Sequence, residues 1–264
     1  MEEKDINILY FDFGNHIEKN ILRKICFNSW KKFFPNANYI CISEENKDFK
    51  KFIEQDEFTR GCFKANNLCF LADSYRLYLT SIYDNLLYLD TDVYIRKDLM
   101  KLLNENDELC GCQFSKIVKD GYLVPDKEKA LPQNGTFLWT KNKTDKFKPI
   151  VDFYKNEKFE DTEFNIVVNE KFNYLFNILE NDREYFNHLH LSMFKLYNRF
   201  QKIVPIKKLI SFAKNGIYQA RYLFVVANED FCDGNFDFNL NVCPEFFNDL
   251  VNTDDPIIFK DLLS

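Results

Sequence analysis

An α/β fold with a mostly parallel central sheet is what this sequence predicts, and three observations predict it. Residues 6–11 and 38–43 are short apolar runs on either side of a helical pattern. That strand–helix–strand order begins a parallel sheet. A third apolar run, Leu86-Leu87-Tyr88-Leu89, reads as a buried strand after a long amphipathic stretch. Finally, the chain has 264 residues and 46% hydrophobic content, enough for one large core and too apolar for global disorder.

The first strand, Ile6–Phe11, ends in the turn Asp12-Phe13-Gly14-Asn15. A helix follows from about Glu18 to Phe34, with Ile21, Ile25 and Trp30 on its apolar side, and Pro35-Asn36 stops it. Asn38–Ser43 is the second strand. The charged stretch 47–63 gives no clear pattern. From Ala65 to Tyr83, the residues Leu68, Leu71, Tyr75, Tyr78, Leu79 and Ile82 recur at helical spacing. Val93-Tyr94-Ile95 continues extended after the third strand, and Asp98 caps a short helix, Leu99–Leu103. A strand is expected at 108–114, a polar surface loop at 116–131, a turn at Gln133-Asn134-Gly135 and a strand at 136–140. Helices are expected at 149–156 and from about 163 to 168.

Charge and cysteines narrow the function classes. A net charge of −6 argues against a general nucleic-acid binder. The eight cysteines form no C-x-x-C pair, and Cys110-Gly111-Cys112 has no second pair at zinc spacing. Most have apolar neighbours, as buried thiols do, so a reducing cytoplasm is expected over a zinc or disulfide scaffold. Met1-Glu2-Glu3-Lys4-Asp5 lacks the features of a signal peptide, and no apolar run reaches membrane-spanning length. Residues 185–228 contain no Asp or Glu but hold Lys195, Arg199, Lys202, Lys207, Lys208, Lys214 and Arg221. Met193, Leu196, Phe200 and Ile203 lie on a neighbouring helical face. This basic amphipathic segment suits peripheral attachment to an anionic membrane surface, or a helix packed on the domain with a solvated basic side. The expected division is a catalytic domain at 1–190 and a basic helical segment with an appendage at 191–264.

The chemistry gathers at the end of the third strand, where Asp90-Thr91-Asp92 leaves the core. Ligands bind at the carboxyl edge of open α/β sheets. An Asp-x-Asp pair there offers hard oxygen ligands to Mg²⁺ or Mn²⁺, which commonly bring phosphates with them; two solvated acids are the simpler alternative. Asp73 and Arg76 lie three apart on the preceding helix, where they form a surface pair or bind hydroxyls and phosphate oxygens together.

Taken together, these residues resemble the Asp-x-Asp glycosyltransferases of the capsular-polysaccharide and initiating α-mannosyltransferase kind, glycosyltransferase family 32. The resemblance runs over roughly residues 6–200. It rests on Ile8 to Gly14, Ser29-Trp30-Lys31-Lys32 with Pro35, Ala72-Asp73-Ser74-Tyr75-Arg76 with Leu89-Asp90-Thr91-Asp92-Val93, Asn134-Gly135-Thr136-Phe137, and His188-Leu189-His190-Leu191-Ser192. It implies a GT-A fold and a retaining transfer from a UDP- or GDP-sugar with Mn²⁺ or Mg²⁺. Asp92 would be the direct metal ligand, with Asp90 contacting ribose and metal-bound water. Asp73 and Arg76 would hold the transferred sugar, near Thr91 and Asn134. His188 or His190, with Ser192, would close over the diphosphate and help ligate the metal. Asp12 stands where the family has Trp, so the base would stack on Phe11 or Phe13, beside Gly14, or elsewhere. The implied acceptor is a glycan or lipid-linked glycan of lipopolysaccharide, lipooligosaccharide or capsule biosynthesis.

Two other functions fit parts of the pattern. Leu87 to Asp92 also matches the first motif of haloacid-dehalogenase-type phosphatases, with Asp254-Asp255 as a distal acidic pair. A non-catalytic nucleotide-sugar-binding subunit would need the pocket without the metal.

Overall fold

A computed structural model describes residues 1–19, 21–65, 67–119, 122–156, 171–188, 245 and 249, with backbone alone for 21, 22, 113–129 and 183. In chain order the first elements are β1 (Asn7–Phe11), α1 (His16–Lys19), α2 (Ile21–Phe33), β2 (Asn38–Ile42), α3 (Lys47–Ile53), α4 (Glu57–Lys64) and α5 (Leu68–Leu79). Then come β3 (Leu86–Leu89), β4 (Val93–Ile95), α6 (Met100–Glu105), β5 (Glu108–Lys119), β6 (Tyr122–Thr140), α7 (Lys148–Asn156) and β7 (Phe186–His188).

The expected α/β class holds. The central sheet runs β2-β1-β3-β6-β5, and β4 pairs with β7 in a separate ribbon. β1 pairs parallel with both β2 and β3, whereas β6 is antiparallel to its neighbours β3 and β5. Four of the five strands therefore point the same way. The chain leaves β1 toward β2 and returns to β3 on the other side, so β1 and β3 flank a topological switch point.

Both faces of the sheet are covered, which is why β1 and β3 read as continuous apolar runs. Ile8, Tyr10, Leu87 and Leu89 pack with Trp30 of α2 and Leu103 of α6 on one face. Leu9, Phe11, Leu86 and Tyr88 pack with residues of α3, α4, α5 and α7 on the other. Trp139, expected in the core, is fully buried. The Ser29-Trp30 pair is a fastening: Trp30 Nε1 donates to the Val93 carbonyl at 2.6 Å, and Ser29 Oγ accepts from Ile95 N at 2.9 Å. Together they fix β4, the strand that follows Asp92, against α2.

Several expectations need correction. Residues 116–119 and 122–131 of the polar stretch are strand and not loop. They form the outer arms of the β5–β6 hairpin, with Lys119 opposite Tyr122. The missed signal is Asp120-Gly121 flanked by Ile117-Val118 and Tyr122-Leu123-Val124, a two-residue hairpin pattern. The unplaced stretch 47–63 holds α3 and α4, each opened by an Asn or Asp cap: Asn46 accepts from Asp48 N and Phe49 N, and Asp56 from Thr59 N. The helix expected at 65–83 is shorter, spanning α5 alone. The expected helix over 163–168, the basic segment 195–221 and the division at 190 all fall outside the described residues.

Among the described residues no helix is long and apolar enough to cross a membrane. Among the described cysteines, Cys26, Cys62 and Cys110 are buried, and Cys41 and Cys69 are exposed.

Candidate functional site

Asp90 and Asp92 stand at the carboxyl end of β3, beside the turn that ends β1. The turn between them is tight, with Val93 N bonded to the Asp90 carbonyl at 2.9 Å. The β4–β7 ribbon then brings in a third group. Val93 is opposite His188, so the imidazole faces the acids. His188 Nε2 is 3.2 Å from Asp92 Oδ1 and 3.6 Å from Asp90 Oδ2. On its other side, His188 Nδ1 lies 3.1 Å from Thr136 Oγ1.

These three residues could hold a metal ion. One donor atom from each lies within 4.8 Å of the others. A cation bound at about 2.1 Å needs ligands spaced in this range, and two carboxylates with one imidazole are a donor set that can take a divalent metal. Thr136 makes the kind of outer contact that would orient this imidazole as a ligand.

The Asp73–Arg76 pair is more than a surface pair. The Arg76 side chain is only 4% exposed and the Asp73 side chain 19%. Arg76 pairs with Asp73 on its own helix and approaches Asp90 Oδ1 at 3.5 Å. Its guanidinium carbon lies 4.5 Å above the Tyr88 ring centre, and the Tyr88 hydroxyl donates to Asp90. Arg76 Nε is buried with no hydrogen-bond partner among the described residues. Tyr88 is thus a platform under Arg76 as well as a core ring.

Electrostatics follow from this crowding. Burial raises the Asp90 carboxyl above its ordinary range; Arg76 and His188 oppose the rise, and Asp92 adds to it. For His188, burial pulls downward, yet Asp92 and then Asp90 outweigh it and hold the imidazolium above its usual range. The Tyr88 phenol is pushed well up, chiefly by burial.

A fold in β6 forms the third wall. Cys110 is opposite Leu138, but Gly111 is opposite Gln133, so Asn134–Phe137 loop out of the β5 pairing. The Gly135 carbonyl meets Asp90 N at 3.3 Å, and a Cβ on Gly135 would come 3.0 Å from Asp90 Oδ2. At Gly111 a Cβ would lie 2.6 Å from the Gln133 carbonyl oxygen, so only glycine allows this close return. Asn134 therefore sits on the segment that borders Asp90.

On the β1 turn, Phe11 is packed in the core against Phe13, Phe49, Tyr75 and Tyr88 and leaves little of its ring exposed. Phe13 is half-buried on the same turn and stacks on Phe49 at 5.4 Å. Asp12 accepts from Ile17 N at 3.1 Å, anchoring the start of α1. Gly14 and Asn15 carry φ of 75° and 56°, the left-handed backbone this tight exit requires. His190, Ser192, Asp254 and Asp255 lie outside the described residues.

Sequence reasoning missed Tyr88, Thr136 and Arg23. Arg23, from α2, donates to Thr91 Oγ1 between the two acids.

No family model matches this chain, and no curated protein matches it. A solved structure of the galactosyltransferase LgtC, in complex with donor and acceptor sugar analogs, is similar at 16% identity and a TM-score of 0.34. That similarity covers 66% of this chain and 73% of the other.

Proposed function

We propose that this chain is a metal-dependent glycosyltransferase of the GT-A type, moving a sugar from a UDP- or GDP-sugar to a glycan with retention of configuration. The observation that carries the reading is the convergence of Asp90, Asp92 and His188 at the β1–β3 switch point, beside the buried Asp73–Arg76 pair. Asp90, Asp92 and His188 would hold the Mn²⁺ or Mg²⁺. When bound, the cation stabilises the negative charge that grows on a departing diphosphate. Asp73 and Arg76 grip the hydroxyls of the transferred sugar, while Gly135 and Asn134 border it. Phe13 offers the ring on which the base stacks. The bond from the sugar anomeric carbon to the phosphate oxygen breaks, and its electron pair stays with the diphosphate. The acceptor oxygen bonds that carbon on the same face, and its proton passes to a leaving phosphate oxygen.

The acceptor is a glycan or lipid-linked glycan of the lipopolysaccharide, lipooligosaccharide or capsule kind, met at the inner face of the cytoplasmic membrane. The basic segment at 195–221 supports this. Each basic residue near an anionic surface is worth about 1 kcal/mol. Replacing Lys195, Arg199 and Lys202 by Gln should reduce co-sedimentation with phosphatidylserine vesicles more than about tenfold; unchanged partitioning removes the membrane claim.

The enzymatic reading is tested by thermal melting with a panel of nucleotide-sugars, with and without Mn²⁺. A ligand at a hundredfold excess over its Kd stabilises by about 2.7 kcal/mol. One nucleotide-sugar should raise the melting temperature by several degrees in the presence of Mn²⁺, and far less without it. A panel in which none shifts the melt contradicts the proposal.

A further inference from the structure

The turn carrying the two acids has a second cationic neighbour. Arg23 projects from the N-terminal part of α2, and its guanidinium donates to the Thr91 hydroxyl. Thr91 is buried, so this contact is made at the inner side of the turn. α2 cannot drift, because Trp30 and Ser29 bind it to β4 two turns further along. Arg23 is therefore held on a rigid element, against the residue between two candidate metal ligands.

The surroundings of Cys69 show what else Arg23 faces. This thiol is raised first by desolvation of the sulphur and then by Asp90; Arg76 and Arg23 lower it, and Asp92 raises it. Both guanidiniums and both acids are thus close enough to act on one thiol, which is itself exposed. Arg23 thus acts on the same thiol as Arg76, from a different helix.

Charge explains why a second arginine belongs there. Asp73, Asp90 and Asp92 face Arg76 and a titratable imidazole. A divalent cation brings that group close to balance, but a diphosphate that gains charge as it leaves needs a further donor. Guanidinium is suited to this because its planar fork binds phosphate oxygens in pairs. Arg76 is already engaged with Asp73, Asp90 and Tyr88.

We infer that Arg23 is a diphosphate-binding residue, held by Thr91 at the Asp90–Asp92 turn and stabilising the leaving nucleoside diphosphate. This rests on the glycosyltransferase reading and adds to it a residue from α2. Arg23 forms and breaks no bond; it donates hydrogen bonds to the oxygens that take up the electron pair.

The test is calorimetric titration of the full chain with MnCl₂ alone, and with UDP, GDP, UMP and GMP in the presence of Mn²⁺. For Arg23→Gln we expect nucleoside diphosphate affinity to fall about tenfold or more, the scale of one lost charge-assisted contact. Monophosphate affinity should fall less, and Mn²⁺ binding alone should stay within about twofold. Arg23→Lys, which keeps the charge and loses the fork, should restore part of the loss. If Arg23→Gln does not fold, Arg23→Lys decides, because diphosphate affinity equal to wild type overturns the assignment. So does an Arg23→Gln protein that binds diphosphate as wild type does, or one that loses Mn²⁺ by the same factor. Wild-type protein that binds no nucleoside diphosphate overturns the parent reading and this inference with it.

Discussion

Asp73 and Asp92 are carboxylates a short distance apart in the same site, yet their partners are of different kinds. Asp73 meets a guanidinium from one turn along its own helix, and that guanidinium is buried over an aromatic ring. Asp92 meets an imidazole from a strand that joins it late in the chain, with a second carboxylate close by. The first arrangement carries its counter-charge permanently, since arginine does not lose its proton. The second gathers two acids around a group that can be neutral and so act as a ligand. A closed pair of the first kind positions and stabilises, whereas an open cluster of the second kind can receive a cation. The two should therefore respond in opposite ways to removal of one charged member.

The largest effect should come at the open cluster. Asp92→Ala should lower metal-dependent sugar transfer on the order of 10³-fold or more, because several kcal/mol of charge stabilisation disappear with the ligand. Its melting temperature without metal should change little, since removing one of two neighbouring acids relieves repulsion. The comparison breaks if Asp92→Ala unfolds the protein, or if it turns over nucleotide-sugar at the wild-type rate.

At the closed pair the balance reverses. Arg76→Met leaves Asp73 and Asp90 without their guanidinium in a largely buried place. Breaking such a pair costs about 3–5 kcal/mol. Urea unfolding of the metal-free protein should show that loss as a lower midpoint. The double substitution Asp73→Asn with Arg76→Met should cost less than the two single changes added together. Additive losses would mean that the pair is not a unit.

How much of this was readable depends on how far apart the partners lie in sequence. β1, β3, the Asp-x-Asp turn and the Asp73–Arg76 pair are local patterns, and the sequence displays them directly. The hairpin arms at 116–131 carry alternating charges that mask a strand, and only Asp120-Gly121 betrays it. α3 and α4 are short and charged, so their caps, not their periodicity, mark them. His188 was singled out, but its pairing with Asp92 depends on the β4–β7 ribbon, which no local pattern announces. Arg23, Tyr88 and Thr136 look like an ordinary helix cation, a strand aromatic and a strand threonine. Tyr88 offered one hint, a hydroxyl inside an aliphatic run that must find a partner when buried. For Arg23 and Thr136 the information lies in the packing of α2 on β4 and in the fold of β6 at Gly111.

Thr136 gives the finest probe of the contrast. Its hydroxyl touches no acid in the pair described above; it lies 3.1 Å from His188 Nδ1, on the side of the ring away from Asp92. A contact of that kind fixes the imidazole orientation and keeps Nε2 free to face a cation. Thr136→Val keeps the branched shape, and the side chain is 6% exposed, so packing should survive. The closed pair does not involve Thr136, and urea stability should therefore shift by no more than about the worth of one hydrogen bond, roughly 1 kcal/mol. Loss of an outer contact to a ligating histidine typically weakens metal affinity about 10- to 100-fold. Mn²⁺ titration of Thr136→Val should show that weakening, while Arg76→Met and wild type are compared in the same assay. Unchanged Mn²⁺ affinity in Thr136→Val would mean that His188 is not a ligand, and the open cluster would reduce to the two carboxylates.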